Sequence, residues 1–386
     1  MDGSESAAIE IKSIGKIIVM RIGFIDVTIT TSYGGIQTAV WELAKSLAAL
    51  GHEVFLYGGE GTIRHDTSGL AMTVRTFPYT PREKVFNLGR RFQRIWERGS
   101  MARYAKKTVA EDNLDWVILT KPFDFFWPHI MPHGSKTRFC YMSGGTSFFK
   151  FDRKLSARID AWVACSQFNA WQIQHHFKQF AHVIYNGVDT VKFQPAANNI
   201  RQQLGIKDDH FLLVFAGRLV GWKGLDYVIK SLALLNDEKV RFLIVGDGEY
   251  LTKLQSQVKN LSLEENVIFH DPVKHEELPA FYNCGDAGIF PSVGDEAFGI
   301  TIAEAMACGK PVIGSYIGGI PEVIGNEGTA GLLVSPGHPE RIADAISQLI
   351  ENKDKRLTMG HNARQRIEDL YTWKHSAQRL LKALGK

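Results

Sequence analysis

Hydrophobic and polar positions along the chain follow two alternating periods. Short apolar runs of strand length are separated by segments in which apolar residues recur every three or four positions, as on one face of a helix. The first such unit is the run that ends at Phe24, followed by Ile36, Val40, Leu43 and Leu47 at helical spacing. Strands that alternate with helices in this way predict a parallel sheet covered by helices.

The alternation forms two series, which a polar stretch at residues 194–203 separates as a linker. We predict strands in the first series at residues 17–24, 53–57, 72–77, 115–119, 138–142, 161–165 and 182–185. We predict strands in the second series at residues 211–216, 240–245, 267–270, 287–291, 311–314 and 332–334. The chain is therefore expected to be an α/β protein of two Rossmann-like domains, residues 1–188 and 189–372. The domains should face each other across a cleft, with ligand at the carboxyl ends of the strands.

The composition narrows the class of protein. A chain of 386 residues is too long for one typical core, and 45% hydrophobic with 22% charged residues is ordinary for a globular protein. A net charge of +4 is too small to imply nucleic acid as a partner. The four cysteines have no spacing typical of zinc or redox sites, and the apolar run at residues 17–20 is too short for an export signal. We therefore expect a reduced, cytoplasmic setting.

The stretch from Pro291 to Ile324 carries the first candidate chemistry. Glu296 follows a turn, and an alanine-rich helix through about Cys308 contains a second acid, Glu304. Amide groups at residues 298–301 would point out of the helix N-terminus, where anions are favoured, and both carboxylates could accept from hydroxyl groups. Two ordinary solvated acids would give the same spacing, so the pattern alone leaves both interpretations open.

Two glycine-rich loops offer further candidates. Arg218 and Lys223 lie on the loop of residues 217–224, after the first strand of the second series, and could clamp a diphosphate. Such loops often carry solvated Arg and Lys side chains, and the loop pattern alone favours that interpretation. Gly34 and Gly35 either let backbone approach a ligand or form a plain tight turn. The sequence Gly246-Asp247-Gly248 lacks the third glycine of a dinucleotide fingerprint, so no nicotinamide cofactor is indicated.

A basic segment lies between Pro81 and Ala110, with nine Lys or Arg residues against two Glu residues. Within it Leu88, Phe92, Ile95 and Trp96 share one helical face. Such a helix can lie on an anionic lipid surface, or it can pack its apolar face on the sheet. The pattern favours packing.

Taken in order, these motifs resemble those of glycosyltransferase family 4, whose members are retaining enzymes of the GT-B fold. The resemblance runs from about Ile17 to the C-terminus and is strongest from Tyr185 to Gly331. The motifs that carry it are Gly34-Gly35, Asn186-Gly187-Val188-Asp189 with Phe193, Gly217-Arg218 with Lys223-Gly224, Gly246-Asp247-Gly248, Pro291-Ser292, and Glu296 with Glu304.

The resemblance implies a role for each matching residue. Arg218 and Lys223 would hold the donor diphosphate and stabilise charge on the leaving nucleotide, and Glu304 would hold the ribose hydroxyls. Glu296 would orient the transferred sugar. The remaining donor-side positions are Gly34, Gly35, Gly246, Phe298, Gly299 and Ile300. The final helix, residues 373–386, would pack back onto the first domain.

One departure from the family lies on the acceptor side. Several members place a histidine after a first-domain strand, where this chain has Tyr141-Met142-Ser143-Gly144-Gly145-Thr146. His129 and His133 lie outside that frame. Ser143 and Gly144 are therefore the acceptor-side candidates, through the hydroxyl or the backbone.

The resemblance implies transfer of a hexose-type sugar from a nucleotide-diphosphate sugar to a glycan or lipid-linked acceptor, as in polysaccharide or lipopolysaccharide biosynthesis. No metal or other cofactor is expected, because two cations would take the role of a metal. The expected partners are the donor, the acceptor and, through the basic helix, an anionic membrane surface. A nucleotide-sugar epimerase, a glycogen- or sucrose-type synthase, and a silent sugar-nucleotide binding module remain alternatives.

Overall fold

A computed structural model describes residues 19–32, 34–145 and 148–385. Its strands are β1 (Arg21–Ile25), β2 (Glu53–Gly59), β3 (Met72–Phe77), β4 (Trp116–Leu119), β5 (Arg138–Ser143), β6 (Ala161–Ala164), β7 (His182–Val183), β8 (Phe211–Ala216), β9 (Val240–Val245), β10 (Val267–His270), β11 (Ala287–Phe290), β12 (Val312–Ser315) and β13 (Gly331–Val334).

The α-helices cover and connect these strands, together with short 3-10 turns at Arg82–Lys84, Pro122–Asp124, Ser156–Arg158 and Gly221–Lys223. They are α1 (Gly35–Ala49), α2 (Arg90–Glu111), α3 (Trp127–Ile130), α4 (Asp152–Leu155), α5 (Gln167–Phe177), α6 (Ile200–Gln203), α7 (Leu225–Leu235), α8 (Leu251–Asn260), α9 (Leu278–Cys284), α10 (Ile300–Ala307), α11 (Ile320–Ile324), α12 (Pro339–Glu351), α13 (Lys353–Leu370) and α14 (Trp373–Ala383).

The strands form two separate parallel sheets, which confirms the predicted α/β class with two Rossmann-like halves. The first sheet has the order β3-β2-β1-β4-β5-β6-β7, and the second has the order β10-β9-β8-β11-β12-β13. Strands such as β4 and β8 are buried along their whole length, because helices cover both faces of each sheet. In each sheet, strands are added first toward one edge and then toward the other. The strand order therefore switches between β1 and β4 in the first sheet and between β8 and β11 in the second. Ligands of open α/β sheets bind at the carboxyl ends of such neighbouring strands.

The end of the chain returns to the first sheet. Trp373, Ala377 and Leu380 of α14 are buried in one cluster with residues of α1 and β1. A β-bridge joins Val188, which follows β7, to Thr372, which directly precedes α14. The domain boundary at residues 188 and 189 stays a prediction, because the sheets alone do not locate it.

The long basic helix α2 differs from the sequence-based expectation. Leu88 precedes the helix, and it is exposed together with Ile95 and Trp96. The buried face instead consists of Glu97, Arg98, Met101, Ala102, Ala105 and Val109. The predicted packing of the apolar face is therefore wrong, because Arg98 and the later apolar stripe turn toward the sheet and leave the Ile95 and Trp96 face outside.

Parts of three predicted features lie outside the described residues. These are the beginning of the first strand at residues 17–18, together with the short apolar run there, and Thr146 after β5. The remaining predicted strands match observed strands to within one or two residues.

Candidate active site

Two loops meet at the carboxyl edge of the second sheet. The backbone amides of Val293 and Gly294 donate to the carbonyl oxygen of Trp222, at 2.8 and 3.2 Å. Gly224 has a φ of 71°, and a Cβ there would lie 2.1 Å from the carbonyl oxygen of Pro291. Only glycine lets the loops after β8 and β11 approach this closely.

This contact brings Lys223 and Glu296 together. The Lys223 ammonium donates to Glu296 Oε2, and it also lies 4.5 Å from the centre of the Trp222 ring. The two side chains are 17% and 18% exposed, so the ion pair is shielded from water but still reaches the surface. An ammonium has three donors, so Lys223 can keep Glu296 and still donate to a second anion.

Arg218 lies on the same loop and is exposed. Among the described residues, its guanidinium has no hydrogen-bond or ion-pair partner. A planar fork of donors is therefore free at the carboxyl end of β8, on the loop that carries Lys223.

The helix α10 begins directly after Glu296 and presents free amide groups. Gly299, with a φ of 96°, precedes its first residue, and no side chain caps the helix. Within the described part of the chain, the amides of Phe298, Gly299, Ile300 and Thr301 donate to no partner. Unpaired amides and the helix dipole favour an anion at this point.

Glu304 lies on the next turn of α10 and is almost completely buried. Its Oε1 accepts a hydrogen bond of 2.7 Å from His275 Nε2, while Oε2 is buried and, within the described residues, has no hydrogen-bond partner of normal geometry. Burial and the nearby Glu304 carboxylate raise the pKa of Tyr282 well above its ordinary value. Glu304 is therefore an interior carboxylate rather than a solvated surface acid.

The first domain supplies the opposite wall. Gly34 and Gly35 are exposed at the start of α1, and a methyl group added at Gly35 would lie 3.7 Å from Ile300 Cδ1. A methyl group at Gly144 would lie 3.4 Å from Ile36. The glycine pair after β1 and the loop after β5 thus lie beside each other, facing the start of α10.

Ser143 is placed less favourably than Gly144. Its side chain is buried, and its hydroxyl donates to the carbonyl oxygen of Gly145 at 3.3 Å. Gly144 is exposed. His129 bonds the Leu155 carbonyl oxygen through Nε2, away from this loop. The structure therefore brings the backbone at Gly144, rather than a side chain, to the surface.

Gly246 lies behind the loop that carries Arg218. A Cβ at Gly246 would lie 2.1 Å from the carbonyl oxygen of Gly217, and its amide donates to the carbonyl oxygen of His270. This close backbone packing is sufficient to require glycine, whether or not Gly246 also contacts a ligand.

A thiol lies between the two domains near this site. Cys165 Sγ is buried and lies 3.7 Å from the carbonyl oxygen of Ala297. Burial raises the pKa of Cys165 to about 12, so the thiol stays protonated and is a poor nucleophile. Its role is to pack the domains together beside Glu296.

A second group of charged residues lies at the carboxyl edge of the first sheet. Arg98 is buried, with Nε 3.1 Å from Asp124 Oδ2 and Nη2 3.6 Å from Asp26 Oδ1. Thr120 donates to the other oxygen of Asp26 at 2.8 Å. Burial raises the pKa of Asp124 to about 7, against the opposing effect of Arg98. Burial also lowers the pKa of Lys121, on the same edge.

Sequence reasoning missed two residues that contact the candidate site. They are His275, which contacts Glu304, and Lys192, which contacts His275. In the sequence they are isolated polar residues, one before the linker and one after β10. Only the folded chain brings these two segments together and shows that the side chains interact. Among the described residues, no group of three or more His, Cys, Asp and Glu side chains could hold a metal.

Two family models match the chain in sequence. The model described as Glycosyltransferase Family 4 matches residues 33–192, and the model described as Glycosyl transferases group 1 matches residues 196–366. The D-inositol 3-phosphate glycosyltransferase of Corynebacterium urealyticum is 34% identical over 212 residues, which is 52% of this chain and 49% of that protein. The chain spans about half the length of the curated relatives it matches.

Solved structures share the overall arrangement. Sucrose-phosphate synthase from Thermosynechococcus elongatus superposes with a TM-score of 0.80 at 21% identity, covering 94% of this chain and 98% of that one. Alr3699/HepE from Anabaena gives a TM-score of 0.78 at 23% identity, covering 95% and 100%. These likenesses confirm the GT-B fold. The two family models, which between them match residues 33–192 and 196–366, show that the chain belongs to glycosyltransferase family 4.

Proposed function

We propose that this protein is a retaining glycosyltransferase that moves a hexose-type sugar from a nucleotide-diphosphate sugar to a glycan or lipid-linked acceptor. The observation that carries the proposal is the contact of Lys223 with Glu296 on the loop that leads into α10, close in sequence to amide groups that have no partner among the described residues. A diphosphate needs positive charge and free donors, and a sugar needs an acceptor for its hydroxyls. The site offers both at one place.

The diphosphate end of the donor fits the loop after β8. Arg218 has no partner among the described residues, and Lys223 has donors to spare beyond Glu296. The free amides at the start of α10 lie in the few residues that follow Glu296, the ion-pair partner of Lys223. Charge that develops on the leaving diphosphate would therefore be met by donors already in position, which is the usual source of electrostatic catalysis.

The two carboxylates fit the two hydroxyl-bearing ends of the donor. Glu296 precedes α10, whereas Glu304 lies in its second turn, so they are separated along the axis by at least about 6 Å. We assign Glu296 to the transferred sugar and Glu304 to the ribose. Glu304 needs a local change in the surrounding side chains to accept a ribose hydroxyl, because Oε2 is buried.

Similar proteins support a nucleotide-sugar donor. Solved structures of Alr3699/HepE contain UDP, UDP with glucose, or UDP-glucose, and they have the same fold as this chain. Curated relatives act on D-inositol 3-phosphate or form an N-acetylglucosaminyl malate. Identity to these proteins is too low to transfer the base, the sugar or the acceptor.

The mechanism we propose depends on positioning and electrostatics rather than on a metal. Lys223 and Arg218 would stabilise the departing diphosphate while Glu296 holds the sugar in the reactive orientation. Attack from the face that the diphosphate leaves would retain the anomeric configuration. The acceptor would enter over Gly35 and Gly144, since these exposed glycines form the wall opposite α10.

The exposed face of α2 supports an acceptor at a membrane surface. Ile95 and Trp96 are exposed beside basic residues of the same helix, and Phe86 and Leu88 are exposed just before it. Apolar side chains among arginines and lysines suit the boundary of an anionic bilayer. Within the described residues, no helix has the length and apolar character needed to cross a membrane.

The experiment that tests this function incubates the purified protein with UDP-, GDP- and ADP-hexoses and follows the products by NMR. Slow release of sugar with the α configuration retained, and its acceleration by a glycan or lipid-linked acceptor, is the expected result. Conversion of the donor into an epimer without acceptor would favour an epimerase. Tight nucleotide binding without turnover over a broad acceptor panel would favour a silent binding module.

A further inference from the structure

The feature that carries a further inference is a chain of hydrogen bonds that ends at Glu304. Lys192 Nζ lies 2.8 Å from His275 Nδ1, and His275 Nε2 lies 2.7 Å from Glu304 Oε1. The three residues come from different parts of the second domain, namely the segment of residues 189–193 that leads into the linker, the segment after β10, and α10. Their meeting is therefore a property of the fold and not of local sequence.

The direction of each hydrogen bond follows from the chemistry of lysine. An ammonium group has only donors, so Lys192 donates and His275 Nδ1 accepts. A ring nitrogen that accepts carries no proton, so the single ring proton is on Nε2. Nε2–H then donates to Glu304. Lys192 thus selects one tautomer of His275, and that tautomer fixes one oxygen of the Glu304 carboxylate.

The segment of residues 189–193 is fixed by hydrogen bonds on both sides of Lys192. Arg364 of α13 donates to the carbonyl oxygens of Thr190 and Ala307, at 2.9 and 2.7 Å, and also to that of Phe193. Arg364 therefore joins the backbone on either side of Lys192 to the C-terminal end of α10. The Phe193 ring also lies 5.2 Å from the His275 ring, between centres.

His275 is the more exposed member of its hydrogen-bonded pair with Glu304. The His275 side chain is 35% exposed, whereas the Glu304 side chain is 4% exposed. Oε1 of Glu304 accepts from His275, whereas Oε2 is buried and has no hydrogen-bond partner of normal geometry among the described residues; the nearby hydroxyl group of Tyr282 interacts with the same carboxylate.

We propose that His275, held by Lys192, is a positioning residue that orients Glu304 so that Oε2 accepts a ribose hydroxyl of the donor. This inference rests on the proposed function, because it deepens the role given to Glu304. Without His275, the buried carboxylate would lose the donor at Oε1 and with it a fixed orientation, and donor binding would weaken. The chemical step would be affected much less, since a ribose contact is present in both the ground state and the transition state.

The first measurement tests the tautomer and needs no enzymatic activity. Nitrogen-15 NMR of histidine-labelled protein should show His275 with an unprotonated Nδ1 and a protonated Nε2, with the signal assigned by its absence in His275→Gln. Lys192→Met should release this preference. A His275 that carries its proton on Nδ1 in the wild-type protein would overturn the proposal.

The second measurement tests the consequence for donor binding, by calorimetry with UDP, GDP and ADP as probes and by steady-state kinetics. His275→Ala should weaken binding of the preferred nucleotide and raise the donor KM by roughly tenfold, the effect of one lost hydrogen bond, with kcat within about twofold. His275→Gln should recover most of the loss, because its amide can accept from Lys192 and donate to Glu304. His361→Ala, an exposed histidine on α13, is the matched control and should leave both values unchanged.

The outcomes separate this inference from the proposed function. If the wild-type protein binds none of the three nucleotides, both are overturned. If the wild-type protein binds and turns over donor but His275→Ala does so equally well, only the positioning role is overturned. A fall in kcat without a change in KM, not recovered by His275→Gln, would also contradict it.

Discussion

The carboxylate of Glu322 lies 2.7 Å from the backbone amide of Gln167, across the interface between the two domains. Its other oxygen accepts from the amide of Phe168 at 2.9 Å, so an acid of the second domain caps the N-terminus of α5 in the first. Arg366 and Tyr371 donate to the backbone carbonyl of Glu322 and hold it in place. The domains are therefore joined at a defined point beside the cleft.

Removal of this cap should destabilise the protein. Glu322→Ala leaves two amides of α5 without acceptors, and loss of a helix cap typically costs about 1–2 kcal/mol. Urea denaturation followed by circular dichroism should show a lower midpoint. Glu327→Ala, an exposed acid on the following loop, should have no comparable effect. Equal midpoints for Glu322→Ala and wild type would show that the contact adds nothing to stability.

The approach of Gly35 to Ile300 predicts a steric effect on activity. A Cβ at Gly35 would make an ordinary contact of 3.7 Å with Ile300, so Gly35→Ala should keep most of the activity. Gly35→Val adds γ-methyl groups toward the start of α10 and should cut transfer by roughly tenfold or more, as misplacement of reacting groups does. Gly99→Val, at a helical glycine with open space around it, controls for the loss of glycine. Equal activity for Gly35→Val and wild type would mean that this wall is not used.

The raised pKa of Asp124 predicts a pH-dependent stability. Since its folded-state pKa of about 7 is above the ordinary value of 3.8, the native state binds the proton more tightly than the unfolded state. The native protein therefore loses stability from this group as the pH rises from about 4 to about 7, by at most about 1.4 kcal/mol per pH unit. Above about pH 7 the Asp124 carboxyl group is ionised in both the native and the unfolded state, so it no longer changes the free energy of unfolding with pH.

The free energy of unfolding of wild type minus that of Asp124→Asn should accordingly fall between pH 4 and 7 and then level off. Arg98, Asp26 and Lys121 face the same carboxyl group and are unchanged in the variant. Asp208→Asn, at an exposed acid without contacts to this cluster, should show no such trend. A difference that rises with pH would have the opposite sign and would contradict the raised pKa.

The exposed face of α2 predicts binding to anionic lipid. The purified protein should co-sediment at low salt with vesicles of equal parts phosphatidylglycerol and phosphatidylcholine, and salt should weaken the binding. The double variant Ile95→Ser with Trp96→Ser should bind less. Leu234→Ser, which removes an equally exposed apolar side chain from the second domain, is the control. Absence of binding by the wild-type protein would remove this support for a membrane acceptor.

Much of the fold could be predicted from the sequence, because each buried parallel strand is a short apolar run. β8 and β9, for example, were located to the residue. The face of α2 could not be predicted, since Arg98 looks like a surface residue until Asp26 and Asp124, from two other segments, are placed around it. Local periodicity carries no information on such partners.

The candidate site shows the same division. Lys223 and Glu296 could be predicted as candidates because each belongs to a motif that resembles the family pattern, and the structure brings their side chains together. Glu322 and His275 could not be found, because each acts on a segment distant in sequence, the start of α5 and the middle of α10. Their importance depends on contacts that only the folded chain defines.

The most direct test of the donor site measures sugar transfer, or slow donor hydrolysis, by purified Lys223→Ala and Glu296→Ala. Each should be slower than wild type by roughly 100-fold, the effect of losing one preorganised electrostatic contact, with an unchanged circular dichroism spectrum. Lys230→Ala, at an exposed lysine on α7, should remain fully active. Full activity in either Lys223→Ala or Glu296→Ala would contradict the assignment of the site.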